Sequence, residues 1–310
     1  MTKVEWPGGK KFAFTVFDDT DAAVPGNFEA VYGFLADHGL KTTKSVWPIR
    51  GENTPTIGGA TCEDPAYLKS VLELQKRGFE IGYHNSTFHG VSRDRIAAGL
   101  EKFRSHFGHY PKSMSNHADS VEAIYWGDAR VTGARKTLYN LLSRNQRKGI
   151  SFGHIEESPY FWGDFCLEKI SYVRNFVTGD INTLKACPWM PYHDPTKPYV
   201  KYWYASSEGP VIGSFNETIS ESNQDRLEEE GGACIMYTHI ACGFQERGQV
   251  NGRFKDLINR LSKKNGWFVP VSELLDFLHQ RNGHIELTPA ARRRLETRWL
   301  MHKVKTRGTS

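Results

Sequence analysis

The residues best suited to chemistry are carboxylates and imidazoles at the ends of short apolar runs. Asp18 and Asp19 directly follow the run FAFTVF, and His84 ends the run FEIGYH. His89 follows five residues later, and His239 lies near the end of ACIMYTHI. One carboxylate and two imidazoles are common ligands of a divalent metal, and a three-ligand set leaves a position open for water. The pattern therefore predicts a divalent-metal hydrolase site.

The two adjacent carboxylates are expected to do different work. Neighbouring side chains on a strand point to opposite sides, so one can bind the metal while the other faces the substrate as a base. A single histidine of this kind is more often structural. Five polar groups at strand ends are much harder to explain separately, and together they favour one shared site.

The elements that must position these residues alternate between strands and helices. Strands are predicted at 12–17, 41–47, 79–84, 113–116, 150–155, 233–240 and 267–270. Helices are predicted at 27–38, 65–77, 93–107, 134–148, 253–265, 271–280 and from 289 onward. The aromatic-rich segment 156–214 is expected to hold long loops with a strand or two.

This alternation indicates an α/β protein with a largely parallel sheet. About seven units favour one distorted (β/α)7-8 barrel over residues 1–285, followed by a basic C-terminal helix or tail at 286–310. In such a barrel the functional side chains gather at the carboxyl ends of the strands. The acidic pair and the three histidines are predicted to lie at that end.

Several segments resemble the motifs of the polysaccharide deacetylases, the NodB-homology group also called carbohydrate esterase family four. FAFTVFDDTDAA resembles their first motif, GFEIGYHNSTFHG their second and ACIMYTHI their fifth. WFVPVSELLDFL is similar to the closing strand and helix of the family. The resemblance extends thinly from about residue 10 to 280 and implies a divergent member with the deacetylase-type barrel.

The resemblance also implies a role for each residue. Asp18 would be the general base, and His239 would be the general acid. Asp19, His84 and His89 would bind one divalent metal, with zinc as the first candidate.

The implied reaction is hydrolysis of an amide, with the N-acetyl group of an amino sugar or glycan precursor as the first candidate. One alternative is another carbon–nitrogen bond on the same fold, such as a ureide or a formylated amino sugar. Another is a catalytically silent barrel that binds carbohydrate.

Three departures from the family pattern leave alternatives open. The family usually has glycine after the acidic pair, whereas Thr20 and Asp21 follow here, and Asp21 either tunes the base, contacts substrate or forms a turn. The two histidines are five residues apart instead of four. The motif that usually supplies an arginine to orient the base reads SMSNHADS. There Asn116 and His117 are expected to hydrogen-bond substrate or Asp18, with a structural turn as the alternative.

The aromatic segment HIEESPYFWGDF is the predicted region of substrate recognition. Trp162 could stack on the face of a sugar, and Glu156 could bind its hydroxyl groups. Packing of these aromatic rings in the core is the alternative.

Composition restricts the remaining possibilities. The five cysteines are widely spaced without a CxxC pair, which argues against a disulfide framework and against a cysteine-built zinc site. No apolar stretch approaches the roughly 20 residues that span a bilayer. The first residues, MTKVEWPGGKKFAF, lack the pattern of a secretory signal, so a cytoplasmic protein is expected.

Positive charge is concentrated at the C-terminal end. Segment 290–310 has seven basic residues and one acidic residue, a net charge of +6 against +5 for the whole chain. Such a segment could contact an anionic membrane or an acidic partner, and a solvated helix is the alternative. Because aromatic residues are sparse there, no nucleic-acid binding is expected. The oligomeric state stays open.

Overall fold

Seven parallel strands form a closed barrel in the computed structural model, which describes residues 4–118 and 120–306. They are β1 Phe12–Asp18, β2 Thr43–Val46, β3 Glu80–Tyr83, β4 Ser113–Met114, β5 Tyr172–Thr178, β6 Tyr202–Glu208 and β7 Ala233–Thr238. Each strand pairs with the next, and β1 also pairs with β7 along its length, which closes the barrel. The predicted distorted (β/α) barrel is confirmed.

Three shorter strands follow β7. The hairpin of β8 Gln245–Glu246 and β9 Gln249–Val250 is antiparallel, and β10 Gly266–Trp267 pairs with the first residues of β1. β2 pairs with the last two residues of the same strand, so β1 is bonded to three neighbours.

Helices occupy most of the connections between strands. They are α1 Glu29–Asp37, α2 Pro65–Lys76, α3 Arg93–Phe107, α4 Gly133–Leu142, α5 Gly163–Lys169, α6 Thr183–Ala186, α7 Ile212–Thr218, α8 Glu221–Glu230, α9 Gly252–Ser262, α10 Val271–Asn282 and α11 Pro289–Thr306. A 3-10 turn covers Gly127–Arg130 in the long connection between β4 and β5. In residues 4–118 and 120–306, no helix is both long enough and apolar enough to cross a membrane.

The predicted elements form for ordinary local reasons. All seven residues of β1 are buried, as expected of an apolar run in a parallel barrel covered by helices. Asp64 caps α2 by accepting hydrogen bonds from the backbone of Ala66 and Tyr67, and Pro65 occupies the first helical position. α3 ends at Gly108, which has a positive φ of 82°.

The structure differs from prediction around the middle of the chain. No strand forms at 150–155 in the described part of the connection, where Phe152 instead donates a backbone hydrogen bond to Val121. β5 and β6 lie inside the segment where the sequence pattern was weak. Both strands carry buried polar residues, Arg174 and Asn175 in β5 and Ser206 in β6. These residues mask the apolar run by which a buried strand is normally found.

α11, which lies in the segment predicted as a basic C-terminal helix or tail, packs onto the barrel. The Trp299 ring is fully buried, with its centroid 5.7 Å from that of Phe176 on β5. Glu296 is also buried and accepts a 2.6 Å hydrogen bond from Nε of Arg135 on α4. Arg307 lies outside the described residues.

Candidate metal centre and active site

One pocket lies at the carboxyl ends of the barrel strands, where the sequence placed the site. It has a volume of about 410 Å³, counted out to its open mouth. The side chains that line it are Asp19, Asp21, His84, Asn116, Ala118, Trp126, Arg130, Arg174, Val177, Tyr237, His239 and Lys303. The predicted residues Asp19, His84, Asn116 and His239 are therefore brought together, and they are joined by residues from β5 and α11.

Asp21, His84 and His117 form a compact group beside this pocket. Nε2 of His84 lies 2.9 Å from Oδ2 of Asp21, and Nε2 of His117 lies 3.2 Å from Oδ1. All three side chains are buried, and one potential ligand atom from each lies within 4.8 Å of the others. The Trp47 ring packs against both imidazoles. A second, overlapping group consists of Asp19, Asp21 and His239.

The hydrogen bonding of this group fits a divalent cation. Oδ2 of Asp21 and both ring nitrogens of His117 are buried and make no well-aligned hydrogen bond within the described residues, although the imidazoles approach the carboxylate within 3.2 Å. Buried polar atoms are otherwise almost always hydrogen-bonded. Nδ1 of His84 lies 2.8 Å from the Ser115 hydroxyl and 3.1 Å from the Ser115 carbonyl, which leaves Nε2 directed toward Asp21. This is the arrangement that orients metal-binding histidines.

The electrostatic surroundings of Asp21 also fit a site for a divalent cation. Burial alone would raise the pKa of its carboxyl group. The neighbouring His84 and His117 instead hold that pKa well below its usual range. Asp21, which the sequence left as a turn residue or a tuning residue, therefore lies at the centre of the cluster.

Asp19 is bound by a buried arginine. Arg174 on β5 donates two hydrogen bonds, from Nη1 to Oδ1 at 3.0 Å and from Nη2 to Oδ2 at 2.5 Å. Ser115 donates a third, at 2.7 Å. Burial raises the pKa of Asp19, but Arg174 opposes it and the net direction is downward.

Arg174 is a residue that sequence reasoning missed. The arginine expected after FGHYPK is absent from that segment, and an arginine on β5 instead contacts the acidic pair. The sequence did contain an indication, since YVRNFV places an arginine inside an otherwise apolar run. An arginine in a buried strand needs an acidic partner.

Asp18 lies outside the residues that line the pocket. Its Oδ1 accepts the backbone N–H of Ile240 at 2.7 Å, and its Oδ2 accepts the Tyr32 hydroxyl at 2.8 Å. Nζ of Lys44 lies 3.1 Å from the same Oδ2. Burial raises the pKa of Asp18 against the attraction of Lys44. Asp18, the base implied by the sequence resemblance, is thus held by side chains and a backbone amide that do not line the pocket.

His239 follows β7 and lines the pocket, as the sequence placed it. Its Nδ1 lies 2.8 Å from the Pro210 carbonyl, so a proton on Nδ1 can donate to that oxygen. Its Nε2 lies 3.6 Å from Oδ2 of Asp21 and 3.4 Å from the Tyr237 hydroxyl. The side chain is 18% exposed, which is enough to face a substrate.

His89 is not brought to the cluster. Its Nε2 accepts backbone hydrogen bonds from Glu52 and Asn53, at 2.7 and 3.0 Å. Its Nδ1 lies 2.9 Å from the Gly90 carbonyl. Both ring nitrogens of His89 therefore contact the backbone of surface loops. The second imidazole of the cluster belongs to His117, which follows β4.

The residues predicted to bind substrate lie in three different settings. Asn116 lines the pocket, but its amide exchanges two hydrogen bonds with the backbone of Ile124. Trp162 is fully buried and donates to the Glu122 carbonyl, so neither face of its ring is open to a sugar. Glu156 is exposed away from the pocket and accepts a hydrogen bond from Tyr199.

Comparison with known proteins gives structural matches alone. No protein-family model matches the chain, and no curated protein sequence matches it significantly. A solved structure of a candidate polysaccharide deacetylase from Mycobacterium smegmatis is similar with a TM-score of 0.51 and 10% identity, covering 93% of this chain and 97% of that one. Puue allantoinase is similar with a TM-score of 0.50 and 10% identity, covering 89% and 93%. Identity this low shows a shared fold, and the activity has to be argued from the site.

Proposed function

From the barrel fold that this chain shares with polysaccharide deacetylases, we propose that it is a metal-dependent hydrolase of carbon–nitrogen bonds of the amide type. One observation supports this most strongly. The carboxyl ends of the strands bring a metal-type cluster, an arginine-bound carboxylate and a partly exposed histidine into one pocket. Metal-assisted amide hydrolysis needs a cation, a base and an acid within reach of one bond.

In this proposal Asp21, His84 and His117 hold a single divalent ion. One carboxylate and two imidazoles suit zinc and its neighbours in the first transition row. Such an ion would polarise the carbonyl oxygen of the scissile amide and favour deprotonation of the attacking water. The assignment replaces His89 by His117 and moves the ligand carboxylate from Asp19 to Asp21.

Asp19 is the proposed general base, in place of Asp18. Arg174 binds both of its oxygens and Ser115 binds one of them, so the carboxylate is held in a single orientation at the pocket wall. A carboxylate held in one orientation can accept the proton of the attacking water without first having to rotate. Asp18 instead joins β1 to Lys44, Tyr32 and the turn after β7.

His239 is the proposed general acid. A hydrogen bond from Nδ1–H to the Pro210 carbonyl directs Nε2 into the pocket. From there it would protonate the departing nitrogen, because an amide nitrogen is a poor leaving group without a proton.

The first substrate class proposed is the N-acetylated amino sugar or glycan precursor. A cyclic ureide is the second, because an allantoinase shares the fold over nearly the whole chain. The two classes are separated by product, since the first releases acetate and the second opens a ring without releasing an acid.

The proposal is tested by comparing matched histidine variants. His117→Ala should abolish binding of one equivalent of zinc and reduce hydrolysis at least a hundredfold, as measured by metal analysis and acetate release. His89→Gln keeps an acceptor for the loop amides and should retain both metal and activity. If His89→Gln loses the metal and His117→Ala keeps it, the ligands would instead be those implied by the sequence resemblance, Asp19, His84 and His89. A wild-type protein that binds no divalent ion would overturn the proposed function.

A further inference from the structure

Arg130 is a buried cation in the wall of the same pocket. It ends the 3-10 turn between β4 and β5 and is 2% exposed. Its guanidinium carbon lies 3.2 Å from the ring centroid of Trp126 and 5.4 Å from that of Trp299. The guanidinium group therefore packs against two indole rings while the residue borders the cavity.

Within residues 4–118 and 120–306, Arg130 has no acidic partner. Its Nε is buried without a hydrogen bond, and the titratable groups that act on it most strongly are Tyr139, Arg174, Arg147 and Tyr237, none of them a carboxylate. Burial lowers the pKa of Arg130 to about 9, which leaves it cationic at neutral pH. A buried charge without a partner is costly, so its presence requires an explanation.

The other cations of the pocket are already compensated. Arg174 is bound to Asp19, and Nζ of Lys303 lies 3.5 Å from Oε1 of Glu208. In the part of the chain that the structure describes, Arg130 is thus the pocket cation left for a ligand. A divalent ion on Asp21, His84 and His117 would add further positive charge and strengthen the attraction for an anion.

We propose that the substrate carries an anionic oxygen group, a carboxylate or a phosphate, which Arg130 binds. This rests on the proposed function for the position of the scissile bond, and it names the substrate class as an acylated amine with an acidic substituent. A guanidinium packed against two indole rings presents its N–H groups as a planar fork, the geometry that carboxylate and phosphate oxygens match. The stacking also limits the rotamer freedom lost on binding.

The test compares neutral and anionic ligands on wild-type and variant proteins. N-acetylglucosamine, N-acetylglucosamine 6-phosphate and N-acetylmuramic acid are titrated by calorimetry, into metal-free and zinc-loaded protein. The anionic compounds should bind about tenfold to a hundredfold more tightly than the neutral one. Arg130→Met should remove that preference, and Arg294→Gln, the same loss of charge at an exposed position on α11, should keep it.

A purely structural role for Arg130 predicts a different result. Arg130→Met keeps the stem between the two indoles and removes an uncompensated charge, so the proposal expects a melting temperature that is unchanged or higher. A lower melting temperature with the preference intact would overturn the proposal, as would equal binding of neutral and anionic ligands to the wild type. Arg130→Lys keeps the charge without the fork and should retain part of the preference.

The two proposals fail in distinguishable ways. Anionic ligands that bind through Arg130 but are never hydrolysed contradict the proposed function and support the anion site. Hydrolysis with no preference for charge supports the proposed function and contradicts the anion site.

Discussion

Two adjacent carboxylates with different surroundings account for both stability and chemistry at the end of β1. Asp18 faces a lysine, a tyrosine and a backbone amide, none of which lines the pocket. Asp19 faces an arginine and a serine at the pocket wall. Because neighbouring side chains on a strand point in opposite directions, one dipeptide serves two separate environments.

Asp18→Asn is expected to lower the free energy of unfolding by about 3–5 kcal/mol, because Lys44 would become an unpaired buried charge. Urea denaturation measures this loss. Adding Lys44→Met should recover part of it, as the double-mutant cycle would show. Activity per folded molecule should change little. If Asp18→Asn is as stable as the wild type but inactive, Asp18 and not Asp19 would be the general base.

Arg174 is expected to act as a positioning residue for Asp19. Arg174→Met should reduce kcat about a hundredfold or more with a much smaller change in KM, because the base loses its fixed orientation. Arg174→Lys keeps the charge but not the paired hydrogen bonds, and should recover part of kcat. Steady-state kinetics alongside melting curves separate this from unfolding. Equal changes in kcat for both variants would contradict the argument from geometry.

The connection between β4 and β5 shows how an element can depend on one buried acid. Glu122 accepts hydrogen bonds from Asn85 and the backbone of Val91, and its own carbonyl accepts one from Trp162. Burial raises the pKa of Glu122 to about 7, from 4.5. His117 acts on it electrostatically and opposes this rise in the pKa. Deprotonation of this acid would place a charge inside the connection that carries His117.

Glu122→Gln should remove a pH-dependent part of the stability. A raised pKa in the folded state means that the contribution is complete below pH 4.5 and is lost as the pH rises through about 7. Relative to wild type, Glu122→Gln should therefore gain up to about 3 kcal/mol in the free energy of unfolding between pH 5 and pH 8. Urea denaturation across this range measures the difference. Glu157→Gln, exposed on the same connection, is the control and should show no such trend.

α11 is expected to contribute to the stability of the barrel. Trp299→Ala should lower the free energy of unfolding by about 3–5 kcal/mol, because a fully buried ring would leave a cavity. Arg293→Gln on the exposed side should change it by no more than about 0.5 kcal/mol. Denaturant titration of both variants provides the measurement. An unchanged free energy of unfolding in Trp299→Ala would contradict a stabilising role for α11.

At the scale of the whole molecule, metal binding should stabilise the fold. The three proposed ligands follow two neighbouring strands and β1, so an ion would connect them. At about a thousandfold excess over the dissociation constant, zinc should add about 4 kcal/mol to the free energy of unfolding. Melting curves with zinc and with chelator measure this difference. His117→Ala should abolish it, and an equal response in wild type and His117→Ala would contradict the ligand set.

The barrel followed from the sequence, and the resemblance to polysaccharide deacetylases is confirmed for the fold. β1, β3 and β7 were predictable because each is a short, mostly apolar run that is followed by polar residues. β5 and β6 were not, because Arg174 and Ser206 interrupt their apolar character. His117 and His89 both follow strands in loops, where no periodicity says which way a side chain turns. The choice between them required the three-dimensional structure.

The closure of the barrel by β1 has a consequence for biosynthesis. Two of the strands that pair with β1, at residues 233–238 and 266–267, are synthesised more than 200 residues after it. At translation rates of about 5–20 residues per second, this strand of fully buried side chains waits on the order of ten seconds or more. Contacts between residues so far apart in sequence form slowly, so an aggregation-prone strand stays exposed on the nascent chain until β7 has been made.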